Sequence, residues 1–117
     1  MKKLISLKLY KDKKLANSYH NIKSLYNNNT YTFIIEDIKT SISDKYFIRE
    51  NNEFKFTLDI IKKEGLYLLK ENNMLFDIDV LNLSSKMNDN NIILEYRLSS
   101  DESDIKVEMN IEGEINE

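Results

Sequence analysis

The chain has 117 residues, of which 41% are hydrophobic and 32% charged, and it carries a net charge of −3 and no cysteine. Length and composition predict one globular domain over residues 1–117 and exclude a disordered chain and a membrane protein, since no apolar run approaches the roughly 20 residues of a membrane helix. The acidic balance argues against a nucleic-acid binder, and the lack of cysteine excludes disulfides and thiolate metal sites and favours the cytoplasm.

The two ends of the chain carry opposite charge. Six lysines lie within residues 2–14, whereas seven acidic residues lie within residues 101–117. A basic N-terminal arm could contact nucleic acid, but the alternation of residues 4–9 indicates a first strand. We predict that this strand pairs with the last one, with Lys8 and Glu108 as complementary neighbours.

Apolar residues alternate with polar ones along most of the chain, as in a sheet with one face in water. The least regular segment is 14–26, where four apolar residues fall at helical spacing: Leu15, Tyr19, Ile22 and Tyr26. The last two also alternate as in a strand. We predict a strand, because the asparagines and serines between these residues are poor helix formers.

Together these segments predict eight or nine short strands separated by asparagine-rich turns. In such turns Asn is expected to adopt the positive φ that Gly usually supplies. Consecutive strands with tight turns are typical of an antiparallel meander. The predicted fold class is therefore all-β, a single antiparallel meander that closes into an eight- to nine-stranded barrel, because closure removes exposed sheet edges.

Two segments, residues 46–52 and 67–73, look like copies of one hairpin strand followed by a turn. Each has an apolar run that ends in a pair of asparagines. In the second hairpin, a two-residue turn at 72–73 pairs Leu69 with Phe76 on the inner face. The first hairpin has one extra residue after its asparagines, so its turn has two solutions.

The turn of the first hairpin decides which face of the sheet carries Arg49. A three-residue loop at 51–53 pairs Ile48 with Phe56 inside and sets Arg49 outside, beside another cation. A two-residue turn instead pairs Phe47 with Phe56 and turns Arg49 onto the apolar face. An inward guanidinium must find an anionic partner, a ligand or the solvent at the barrel mouth, unless its stem covers apolar surface while its head reaches water.

A resemblance to a known family rests on six short segments that follow one another along the chain: 26–31, 35–37, 47–49, 76–80, 92–98 and 105–111. In this order they resemble the YwiB-like family of uncharacterised bacterial proteins, over residues 14–113. The resemblance implies a calycin-like, lipocalin-related β-barrel. It matches the acidic pair Glu36 and Asp37, the strand-end Arg49, and Tyr96. The family has no agreed activity, so the resemblance implies a fold and leaves the function open.

Catalytic, metal and cofactor motifs are not found in the sequence. His20 is the only histidine and lies in the least regular segment, which argues against a Ser-His-Asp triad and a two-histidine metal site. Asp77 and Asp79 lie two residues apart on one strand face, a spacing that could hold a cation but that also suits a solvated outer face. We predict no catalytic residue, no metal and no cofactor.

The interior of a barrel of about eight strands is wide enough either to be filled by side chains or to hold one small ligand. We predict a non-enzymatic barrel that binds a small, largely apolar ligand and has no nucleic-acid or membrane partner. The candidate binding residues are polar side chains that would hold the ligand and aromatic side chains that would enclose it. The first group is Arg49, Tyr96 and Glu36, and the second is Phe56, Tyr67 and Phe76. The alternatives are a filled barrel that serves as a protein-interaction module, and an enzyme that uses Glu36 or Asp37 with Arg49.

Overall fold

Ten β-strands make up the fold. The structure, a computed structural model, describes residues 1–116, and in that range it contains no helix, hence none that could cross a membrane. The strands are β1 (Lys2–Lys11), β2 (Lys14–Asn27), β3 (Thr30–Ile35), β4 (Ile38–Ile42), β5 (Tyr46–Glu50), β6 (Phe54–Asp59), β7 (Glu64–Leu69), β8 (Met74–Met87), β9 (Asn91–Leu98) and β10 (Asp101–Ile115). The predicted all-β meander is confirmed, with ten strands in place of eight or nine.

The strand that the alternation did not reveal is β4. Its inner face carries Ile38, Thr40 and Ile42, so a polar residue stands at the centre of the apolar pattern. Thr40 is nevertheless buried, and its register partners are Phe33 on β3 and Arg49 on β5. The interior of the barrel is therefore partly polar at this level.

The barrel closes because each strand pairs with its neighbours in the chain and β1 pairs with β10. The register sets Lys8 opposite Glu108, which confirms the pairing predicted from the opposite charges of the two ends. The basic N-terminal segment is thus a barrel strand and not a free arm. We call the end that holds the turns after odd-numbered strands the upper end, and the opposite end the lower end.

Strand β2 confirms the strand predicted for residues 14–26, and a bulge explains its helical spacing. Its register against β1 shifts between Tyr19 and Ile22, next to Asn21, which has a φ of 57°. The inserted residue lets Tyr19 and Ile22 both pair with inward residues of β1, although they lie three positions apart. The spacing that resembled a helix is therefore that of a bulged strand.

Asparagine shapes the turns in two ways. Asn28–Asn29 has positive φ at both residues, 52° and 60°, as predicted for a turn in which Asn replaces Gly. Asn51 instead opens a four-residue turn, in which its side-chain Oδ1 accepts the backbone N–H groups of Glu53 and Phe54 at 2.8 and 3.0 Å. Asn88 opens the β8–β9 turn in the same way. In these two turns, asparagine acts through its side chain.

The register of the first hairpin matches neither predicted solution. Its turn extends from Asn51 to Phe54, and the N–H of Asn51 donates to the carbonyl of Phe54 at 3.0 Å. Arg49 therefore pairs with Phe56. This register differs from both predicted ones, but it places Arg49 on the inner face, as the two-residue turn does.

The predicted two-residue turn of the second hairpin is wrong. The loop 70–73 has four residues and a positive φ only at Asn73, whereas the two-residue turn that suits a pair of asparagines needs positive φ at both. Phe76 consequently pairs with Tyr67 and not with Leu69. Because the register moves by two residues, these side chains keep their predicted face.

The lower and middle levels of the barrel are filled by side chains. Five large apolar residues are completely enclosed there, each with an exposed fraction of 0%: Ile5, Leu58, Ile92, Leu94 and Met109. Burial of such a side chain contributes about 1.5–3 kcal/mol. A filled interior, one of the two possibilities left open by the sequence, thus applies to this part of the barrel.

Candidate functional site

The upper half of the barrel encloses a cavity of about 210 Å³. Its walls are mainly apolar side chains from β1, β3, β4, β5 and β10: Leu7, Phe33, Ile42, Phe47, Ile105 and Val107. An engineered apolar cavity of about 150 Å³ accepts benzene, whereas pockets for drug-sized ligands measure about 300–1,000 Å³. The cavity is therefore large enough for a molecule of one ring or a short chain.

Four of the six predicted binding residues lie in one row across the sheet. Directly paired residues on β3 to β8 form this row on the inner face: Phe33, Thr40, Arg49, Phe56, Tyr67 and Phe76. Phe33, at one end, is buried, whereas Phe76, at the other, is 41% exposed. Only the part of the row from Phe33 to Arg49 borders the cavity.

Arg49 is the charged residue within the cavity wall on β5. Its side chain is half-buried, and its guanidinium forms no ion pair and no hydrogen bond with any residue of the described range 1–116. An arginine side chain stays protonated in proteins and has five N–H donors. The cavity therefore contains a cation without a protein counter-ion.

Tyr96 reaches the cavity from β9. Its ring lies between those of Phe47 and Phe56, with centroid distances of 6.1 and 6.4 Å, which are typical of favourable aromatic pairs. Burial raises the pKa of Tyr96 to about 12, an effect that the positive charge of Arg49 opposes and the negative charge of Asp101 reinforces. The Tyr96 hydroxyl is therefore protonated at neutral pH and can donate a hydrogen bond.

Tyr19 lines the cavity from β2 and was not among the predicted binding residues. Burial raises its pKa, as do the negative charge of Glu36 and a hydrogen bond to that carboxylate, while the charge of Arg49 lowers it. Arg49 therefore acts electrostatically on Tyr19 as well as on Tyr96. Only the bulge at Asn21, which breaks the alternation of β2, could have identified Tyr19 as inward-facing.

An open seam separates β2 from β3 near the upper end. In the described part of the chain, these strands pair only through Leu25, Tyr26 and Asn27, opposite residues 30–32. The rest of β2 pairs with β1 alone. The seam gives the upper cavity a side opening toward solvent.

The other predicted binding residues lie around the cavity without lining it. Phe56 is buried behind Tyr96. Tyr67 stacks on Phe54 with a centroid distance of 5.6 Å and an interplanar angle of 7°, away from the cavity. Glu36 belongs to the exposed β3–β4 turn, where its carboxylate acts on Tyr19. The structure thus brings Arg49 and Tyr96 together in the cavity wall, and places the remaining four outside it.

The charged residues of the cavity lining are cations. Among residues 1–116, the lining includes Arg49 and Lys11 but no carboxylate. Glu36 and Asp37 lie in an exposed turn, so the structure does not supply the inward carboxylate that the enzyme hypothesis requires. The described residues also form no cluster of three His, Cys, Asp or Glu residues that could hold a metal ion.

Comparisons of the chain with protein-family models, curated proteins and solved structures gave no match. The resemblance to the YwiB-like family therefore stays a prediction.

Proposed function

We propose that the protein is a non-enzymatic β-barrel that binds a small, largely apolar molecule in its upper half. The observation that carries the proposal is the cavity of about 210 Å³ above a filled core. Protein interiors are normally packed without voids of this size, because each void forfeits dispersion contacts. Apolar walls with a few polar groups are also the usual composition of ligand sites. The composition, without cysteine, agrees with action in the cytoplasm.

A pair of phenylalanine substitutions on β2 tests this proposal. Ala16 lines the cavity and is exposed, so Ala16→Phe can place a ring in the cavity without displacing core residues. Leu15→Phe adds the same ring at the next position, where the side chain is 54% exposed and does not line the cavity. Binding of indole, a neutral probe of suitable size, would be followed by chemical-shift changes in NMR spectra of the wild type and both variants.

We expect indole to bind the wild type and Leu15→Phe with equal affinity and to bind Ala16→Phe far more weakly. Native mass spectrometry of gently purified wild type would, in addition, look for a bound small molecule. The proposal fails if indole does not bind the wild type, or if Ala16→Phe binds it as well as Leu15→Phe does.

The open edge of β2 favours a second candidate function, that of a protein-interaction module. A strand with unpaired backbone groups can accept an extended segment of another protein. Charged residues along an edge prevent such addition, so a partner recovered with the wild type should be lost when Leu15→Lys and Ser18→Lys are introduced together. Recovery of the same partner by this double variant would contradict strand addition at β2.

A further inference from the structure

The charge distribution around the cavity indicates the class of molecule that it accepts. The whole chain carries a net charge of −3, yet the described lining residues include two cations and no carboxylate. Lys11 has a partner at the rim, Asp101, with a Nζ–Oδ2 distance of 3.9 Å. Arg49 has none. Because pairing stabilises a charge that is partly removed from water, the guanidinium of Arg49 is the group in the lining with which a bound anion would pair.

Two hydrogen-bond donors converge on the cavity from different walls. Arg49 projects from β5 and Tyr96 from β9, and both line the same space, whereas Tyr19, on β2, donates its single hydroxyl proton to Glu36. The positive charge of Arg49 acts on both tyrosines, so it lies within electrostatic reach of each hydroxyl. A guanidinium fork matches the two oxygens of a carboxylate, and a tyrosine hydroxyl can donate to the same group.

We infer that the ligand is a small monocarboxylate with a compact apolar body, whose carboxylate pairs with Arg49 and accepts a hydrogen bond from Tyr96. This inference rests on the proposed function. The apolar body would lie against Phe33 and Val107, which are among the buried residues of the wall. A single unpaired guanidinium neutralises one negative charge, so a monoanion fits the site better than a dianion.

Two nearly isosteric probes test the inference. Phenylacetate and phenylacetamide have the same ring and spacer, and they differ in charge and in the donor and acceptor pattern of the head group. Their affinities would be measured by isothermal titration calorimetry on wild type, Arg49→Met and Arg49→Lys. Lys86→Met serves as the matched control, because Lys86 is an exposed residue of β8 outside the cavity and its loss changes the net charge equally.

We expect wild type and Lys86→Met to bind phenylacetate at least about tenfold more tightly than phenylacetamide, since hydrogen bonds to charged groups are worth about 1.5–3 kcal/mol. Arg49→Met should bind both probes with similar affinity, because it keeps the apolar walls. Arg49→Lys should retain part of the preference, because it keeps the charge and loses the fork.

The outcomes separate this inference from the proposed function on which it rests. Equal affinity of wild type for the acid and the amide would overturn the carboxylate inference and leave the apolar site intact. Binding of indole without binding of phenylacetate or phenylacetamide would likewise overturn the carboxylate inference and leave the apolar site intact. A preference for phenylacetate that persists in Arg49→Met would also overturn the inference, because the anion would then bind elsewhere. Failure of indole, phenylacetate and phenylacetamide alike would reject the proposed function itself.

Discussion

Replacement of Arg49 by methionine should stabilise the ligand-free protein. Met has a similar length and keeps the contacts of the arginine stem beside Thr40 and Phe56, its register partners, while it removes a charge that has no counter-ion in the described residues. Burial of an unpaired polar group costs about 1–3 kcal/mol in protein mutational data. Because Arg49 is only half-buried, we take the lower bound and expect a gain of about 1 kcal/mol.

Urea unfolding measures this gain as a shift of the midpoint. For an m-value of about 2 kcal/mol/M, a gain of about 1 kcal/mol raises the midpoint by about 0.5 M without a change in m. Lys86→Met is the control, since either variant changes the net charge from −3 to −4 and only Arg49→Met removes a charge from the cavity lining. Destabilisation of Arg49→Met relative to Lys86→Met would refute the reasoning, because it would show that Arg49 supports the fold.

Three further predictions concern other parts of the barrel. The pKa of Tyr96 is about 12 in the folded protein and ordinarily 10.0. The protonated hydroxyl therefore contributes fully to the free energy of unfolding below pH 10, and this contribution is lost as the pH rises through 12. Between these pH values the unfolding free energy of wild type should fall roughly 3 kcal/mol more than that of Tyr96→Phe. Leu58→Ala should lower the unfolding free energy by about 2–5 kcal/mol, because Leu58 is 0% exposed, whereas Ile34→Ala, at a position 68% exposed, should change it by less than about 0.5 kcal/mol in the same urea titration. Lys70→Met should raise the pKa of Glu50 in an NMR titration, because the 2.8 Å hydrogen bond from Lys70 is the main cause of its lowered pKa; an unchanged Glu50 titration would contradict that pairing.

Features that depend on regular periods were predictable from the sequence. Alternation with a period of two identifies a half-buried strand wherever the inner positions are apolar, and it failed only at β4, whose inner face carries Thr40. Opposite charges at the two ends predicted the closing pair, Lys8 with Glu108. Both features are independent of the detailed conformation of any turn.

Features that depend on one inserted residue were not predictable. Asn51 can supply positive φ inside a turn or open a turn through its side chain, and the choice between these roles changes the register of the hairpin. The bulge beside Asn21 likewise turned Tyr19 inward against the expected alternation. The residues affected by these local choices include Arg49 and one of the three tyrosines that line the cavity.

Barrel geometry explains why Tyr67 and Phe76 do not line the cavity although they share a row with Arg49. Strands in a barrel are tilted against its axis, so a row of directly paired residues changes height as it crosses successive strands. The row is at cavity level at Phe33 and Arg49 and has left the enclosed interior at Phe76. The alternation in the sequence predicted which face of the sheet each of these side chains occupies, but it could not predict their level along the barrel axis.

The irregular features of the barrel are concentrated where its interior is hollow. Three of the five register shifts in the described pairs adjoin the upper end, at Leu9/Tyr10, Val80/Asn82 and Asp101/Asp104. The seam beside β2 and the unpaired charge of Arg49 lie at the same end. Each of these features weakens pairing or packing, whereas the two remaining shifts, on either side of Ile5, lie beside a filled core. Departures from regular structure that coincide in space are expected at functional sites, and this coincidence supports the proposal that the upper cavity is a binding site and not an imperfectly packed core.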